Sequence, residues 1–175
     1  MTITGGCRCG AVRYTIKAEP LFARHCWCRD CQYIGAGSGT VNVFFASEKV
    51  AIKGALTDYT GHADSGTLMH RTFCATCGTP MFTQADTRMH YIGVRAGTLD
   101  EPDLGKPQVT IWTSSAPSWA CFDPDLPREE KGGPPPSSKC LGSALPFDTN
   151  NPVGSLSSPC AIEVASRPRA MKQDD

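Results

Sequence analysis

Ten cysteines in 175 residues are the side chains best equipped for chemistry in this chain. Seven of them lie between Cys7 and Cys77, spaced Cys7-x-Cys9, Cys26-x-Cys28-x2-Cys31 and Cys74-x2-Cys77, while Cys121, Cys140 and Cys160 stand singly. A tetrahedral zinc with Zn–S bonds of about 2.3 Å holds its sulfurs roughly 3.8 Å apart, and a two-residue spacer in a tight turn reaches that separation. Cys74-Ala-Thr-Cys77-Gly78 has this form. Gly78, and Gly10 after Cys9, are free to take a left-handed conformation that brings a backbone N–H towards sulfur.

The seven thiols divide into four and three. Four thiolates close a structural zinc site, whereas three leave one coordination position for water or substrate. Cys26, Cys28 and Cys31 come from one short segment and can form a three-thiolate cup unaided. Cys7, Cys9, Cys74 and Cys77 then make up the closed site, which joins distant parts of the chain. Two zinc ions per chain follow. Three other readings stay open at this stage. The even cysteine count permits disulfides, the Cys-x-x-Cys could be redox-active, and His25, His62, His70 or His90 could complete the triplet and make both zincs structural.

A zinc held by three thiolates carries a formal charge of minus one, which weakens its power to acidify water and disfavours hydrolysis. Its softness suits a thiol as fourth ligand, held deprotonated and therefore nucleophilic. Arg24 and Arg29 flank the triplet and could bind the carboxylates of a peptide-like thiol.

The rest of the sequence must position these groups. Lys plus Arg and Asp plus Glu both number 17, so the net positive field used for nucleic acid or anionic membranes is absent. Apolar runs fall far short of the ~20 residues of a membrane span. The amino terminus has no basic region followed by an apolar stretch, which predicts an intracellular, reducing setting, the cytoplasm. Residues 131–175 hold 7 of the 14 prolines and one aromatic, Phe147, so they are expected to form a disordered tail behind a single domain of residues 1–130. Cys140 and Cys160 would be unpaired thiols within it. In residues 1–130 the hydrophobic period is mostly two. Strands are predicted at 12–16, 40–46, 50–53, 56–59, 68–73, 80–83, 89–94 and 109–113, giving a mainly β, antiparallel domain. A helical turn is expected from Asp30, stopped by the Gly35–Gly39 run.

Gly5-Gly-Cys7-Arg-Cys9-Gly-Ala-Val, His25-Cys26-Trp-Cys28-Arg-Asp-Cys31 and Arg71-Thr-Phe-Cys74-Ala-Thr-Cys77-Gly-Thr-Pro80 together resemble the glutathione-dependent formaldehyde-activating enzymes, a family that includes centromere protein V-like proteins. Gly97-Thr-Leu-Asp100 and Trp119 to Pro127 fit its later portion, extending the resemblance over about residues 3–130. The chain departs from the family pattern at Glu129-Glu130, where an aromatic usually follows Leu-Pro-Arg. The resemblance implies an Mss4-like fold with zinc-binding turns. It implies Cys7, Cys9, Cys74 and Cys77 as structural zinc ligands, and Cys26, Cys28 and Cys31 as ligands of an active-site zinc. The implied activity is that of a carbon–sulfur lyase that combines glutathione, or a similar thiol, with a small aldehyde such as formaldehyde to give S-hydroxymethylglutathione. The competing function is a non-catalytic zinc module, used for glutathione carriage or for protein or chromatin contacts.

Overall fold

The computed structural model describes residues 1–133. The expected tail beyond Gly133, with Cys140 and Cys160, lies outside the described residues. The described chain is mainly β, with strands β1 (Ile3–Gly6), β2 (Arg13–Ile16), β3 (Phe22–Cys26), β4 (Thr40–Ala46), β5 (Val50–Lys53), β6 (Leu56–His62), β7 (Leu68–Cys74), β8 (Pro80–Ala85), β9 (Tyr91–Arg95) and β10 (Val109–Ile111). A short helix, α1, spans Arg29–Ile34 and stops at Gly35, whose N–H returns to the Cys31 carbonyl. Among the described residues no helix is long and apolar enough to cross a membrane.

The strands form a three-stranded sheet, β1-β2-β5, and a seven-stranded sheet, β10-β3-β4-β9-β8-β7-β6. Pairing is antiparallel except at one edge, where β10 runs parallel to β3, with Val109 opposite Arg24 and Ile111 opposite Cys26. The domain is thus mainly β and antiparallel, as expected, with one parallel pair at its edge. The connection after β9 crosses to the far edge of the sheet and lays β10 down in the direction of β9, the kind of long crossover a parallel pair requires.

The register explains how one sheet serves both core and site. Successive side chains on a strand face opposite sides, and directly paired residues share a face. Ala23, Val43, Val94 and Phe82 form one such row and are all buried. With Phe45 and Ile92 they pack in one core cluster with Ile3, Tyr14 and Ile16 of the small sheet. Tyr14 meets Phe82 edge to face at 5.3 Å. Burying each large aliphatic or aromatic side chain here is worth about 1.5–3 kcal/mol. The opposite face carries the rows Phe22–Phe44–Gly93 and Arg24–Asn42–Arg95, and these residues, Gly93 apart, line a cavity of about 470 Å³. Gly93 keeps that face flat: a Cβ there would sit 2.8 Å from Thr83 Cγ2 and 3.0 Å from the Phe44 ring.

Two strands escape the sequence reading for physical reasons. β1 ends in two glycines, and β3 alternates Phe22, Arg24 and Cys26 towards the cavity instead of showing an apolar face. The strand expected at 109–113 ends at Ile111 because Trp112 takes a left-handed backbone, φ 60°. That conformation costs an L-residue roughly 1–2 kcal/mol. It is held by the following segment, where Thr113 N–H and Oγ1 both donate to the Glu129 carbonyl and Ser114 N–H donates to that of Glu130. Packing therefore continues past residue 130: Glu129 N–H donates to the Thr110 carbonyl at 2.8 Å, and Gly132 and Gly133 line the cavity.

Candidate metal centres and thiol site

The sulfurs of Cys7, Cys9, Cys74 and Cys77 all lie within 4.8 Å of one another. Cys7 and Cys9 sit in the turn between β1 and β2, Cys74 ends β7, and Cys77 precedes β8. The group thus ties the small sheet's hairpin to a turn of the large sheet. Sγ separations of 3.5 Å for Cys7–Cys9 and 3.9 Å for Cys9–Cys74 bracket the roughly 3.8 Å edge of a tetrahedral thiolate zinc site, so these residues fit the metal. Gly10 and Gly78 are left-handed, φ 79° and 70°. The N–H that reaches sulfur is however that of Val12, 3.2 Å from Cys7 Sγ, while Gly10 and Gly78 donate to the carbonyls of Cys7 and Cys74. The Thr79 hydroxyl, 3.1 Å from Cys77 Sγ, and the Thr79 N–H lower the Cys77 pKa to about 5.

Cys26, Cys28 and Cys31 form the second group, also within 4.8 Å, and all three are buried. Cys26 is the last residue of β3, Cys28 is the N-cap of α1, and Cys31 sits within that helix. The segment is pinned from both sides. Trp27 N–H donates to the Ile111 carbonyl, and buried Gln32 donates to the carbonyls of Trp27 and Ser115. An Asp30–Arg71 ion pair fastens α1 to β7. Hydrogen bonds from Cys26 and Cys28, with smaller help from Thr40 and Arg95, pull the Cys31 pKa down to about 2. Cys26 is pushed up by its donation to Cys28 and Cys31 and by burial. Cys31 is thus the thiol of the trio whose surroundings most favour the thiolate form. The seven cysteines of the two groups are free thiols, so the disulfide reading does not describe them.

No histidine shares the triplet's cluster among the described residues. His25 lies on the face of β3 opposite Arg24 and packs its ring 5.3 Å from that of Trp27. His70 binds Asp58 at 2.7 Å. Arg24 and Arg29, paired in the sequence reading, separate in the fold. Arg24 lines the cavity with the triplet, whereas Arg29 donates to Gln32 Oε1 and lies over the Tyr33 ring.

Arg95 is the residue that sequence reasoning missed. Its side chain is 7% exposed, donates to Thr40 Oγ1 at 2.9 Å and Asn42 Oδ1 at 2.6 Å, and also reaches Cys31. Among the described residues it forms no carboxylate ion pair, and its Nε has no hydrogen-bond partner. A buried guanidinium demands a counter-charge, and Cys31, which it reaches and whose pKa is lowered, is the group placed to supply it. The signal in the sequence was faint: an arginine two residues beyond Gly93, on the cavity face of β9. Arg95→Met should weaken cobalt binding by the triplet at least tenfold in chelator competition, with Arg95→Lys retaining most of the affinity. Equal affinities for the parent and Arg95→Met would show that the guanidinium does not balance the triplet's charge.

The profile of the family described as glutathione-dependent formaldehyde-activating enzyme matches residues 2–115. A crystal structure of a Rhodobacter sphaeroides protein aligns with 28% sequence identity and a TM-score of 0.46, covering 59% of this chain and 96% of that one. No curated protein matches the sequence.

Proposed function

Because the chain belongs to the glutathione-dependent formaldehyde-activating enzyme family, we propose that it joins a glutathione-like thiol to formaldehyde or a similar small aldehyde. The thiol sulfur bonds to the carbonyl carbon, the carbonyl π bond opens onto oxygen, and the thiol proton ends on that oxygen as the hydroxyl of an S-hydroxymethyl thioether. The observation that carries this reading is the triplet itself: three buried sulfurs within 4.8 Å of one another, opening onto a cavity large enough for a peptide thiol. We assign Cys26, Cys28 and Cys31 as ligands of an active-site zinc, and Cys7, Cys9, Cys74 and Cys77 as ligands of a structural one. Zinc in the triplet would supply Lewis acidity that keeps an incoming thiol ionised at neutral pH.

The protein's own groups do the rest. Arg95 balances the charge of the three thiolates, which lowers the cost of bringing a further anion to them. The apolar surfaces of Phe22 and Phe44, which stack at 4.5 Å, help shield the cavity from water.

Formaldehyde also reacts with free thiolate in solution, so the test needs conditions that suppress this background. At pH 6 a thiol of ordinary pKa is only about 0.3% ionised. The parent protein should there form S-hydroxymethylglutathione at least tenfold faster than buffer, by proton NMR of the adduct. A rate equal to buffer, with glutathione still bound, would leave a carrier function in place of the enzyme.

A further inference from the structure

We propose that Arg24 and Arg88 form the anion-recognising end of the cavity and select thiols that carry a carboxylate. This rests on the thiol reading above and names the substrate class that the same site takes.

The charge inventory is lopsided. Arg24, Arg71, Arg88 and Arg95 line the cavity against a single carboxylate, Asp30, which is paired with Arg71. Arg95 is answered by the triplet. That leaves Arg24 and Arg88, for which the described residues provide no carboxylate ion pair. Arg24 is half-buried over the Phe22 ring, its guanidinium carbon 4.7 Å from the centroid. Its Nη1 makes a long 3.4 Å contact to the Gly133 carbonyl, and its Nε is buried without a partner. Two unpaired guanidiniums lining one cavity, one of them half-buried, gain charge-assisted hydrogen bonds when an anion bridges them.

Strand geometry sets the spacing. Arg24 and Cys26 share the cavity face of β3, about 7 Å apart at ~3.3–3.4 Å per residue. The carboxylate of an extended peptide thiol lies within about two residue rises of its cysteine, so sulfur at the triplet and carboxylate at Arg24 are matched in scale. Arg88 lines the cavity from the turn Asp86–Arg88 after β8.

The test is calorimetric, on the full zinc-loaded chain, with glutathione, glutathione diethyl ester and 2-mercaptoethanol as ligands. The ester keeps the thiol and loses both carboxylates, and 2-mercaptoethanol reports on the thiol site alone. Parent protein should bind glutathione at least tenfold more tightly than the diester. The ratio should fall towards one in Arg24→Met and in Arg88→Gln, with 2-mercaptoethanol affinity unchanged in both. Arg88 is exposed, so its variant should fold even if Arg24→Met does not. All three thiols binding with equal affinity to the parent, or a ratio unmoved in folded Arg88→Gln, would overturn the anion site and leave the thiol reading standing. Failure of every thiol to bind would overturn both.

Discussion

Cys74→Ser is expected to unfold the domain. Cys74 is fully buried at the end of β7, and its sulfur lies 3.9 Å from that of Cys9, 65 residues away in the chain. A metal at that point would hold the β1–β2 hairpin of the small sheet against the β7–β8 turn of the large one. Structural zinc in small domains contributes apparent binding free energies of about 10–16 kcal/mol at neutral pH. A domain of this size has a net stability of roughly 5–15 kcal/mol. Weakening the site by even half should therefore remove most of the margin. The variant should show no cooperative thermal transition above about 40 °C by circular dichroism, and should bind less metal. A melting temperature within a few degrees of the parent would show that this group of cysteines does not hold the fold.

Cys28→Ser should have the opposite profile, with chemistry lost and fold kept. The triplet closes only the segment from Cys26 to Cys31. On a (3/2)RT ln n estimate, the crosslink across that segment restricts the unfolded chain by about 2 kcal/mol less than one spanning 65 residues. Serine is also well suited to this position. Cys28 is the N-cap of α1 and makes no side-chain cap, whereas a serine hydroxyl can accept from the first-turn N–H groups. Cys31, the thiol that Arg95 reaches, is retained. The variant should lose one metal per chain and its aldehyde–thiol activity should drop to the buffer rate, while its melting temperature falls by less than about 8 °C. Retained activity would remove the triplet from the chemistry. Complete unfolding would make it a second structural site.

The contrast between these variants follows from features of unequal visibility in the sequence. The cysteine spacings stand out because a metal demands short, turn-compatible intervals, and the structure brings the same seven sulfurs into two groups. β4 and β5 span the expected bounds, Thr40–Ala46 and Val50–Lys53, because their β-branched and aromatic residues mark them as strands by composition. β3, Phe22–Cys26, mixes Arg24, His25 and Cys26 with two apolar residues and carries no such enrichment. Arg95 and Arg88 were hidden for a different reason: their meaning lies in cross-strand register and in the turn after β8, which fix what an arginine faces only once the strands are paired. Arg29 shows the converse. Adjacent to Cys28 in sequence, it is turned by the helix onto Gln32 and Tyr33, away from the cavity that Arg24 enters.

The claim that matters most is that the protein has two thiolate metal centres and that a thiol enters only the one made by Cys26, Cys28 and Cys31. Cobalt-substituted protein titrated with glutathione tests it directly through the thiolate-to-metal charge-transfer bands. Two cobalt ions per chain are expected, with a shift in one band at millimolar glutathione, an unchanged second band, and no shift in Cys28→Ser. A single bound metal, or two bands that both ignore millimolar glutathione, would contradict it.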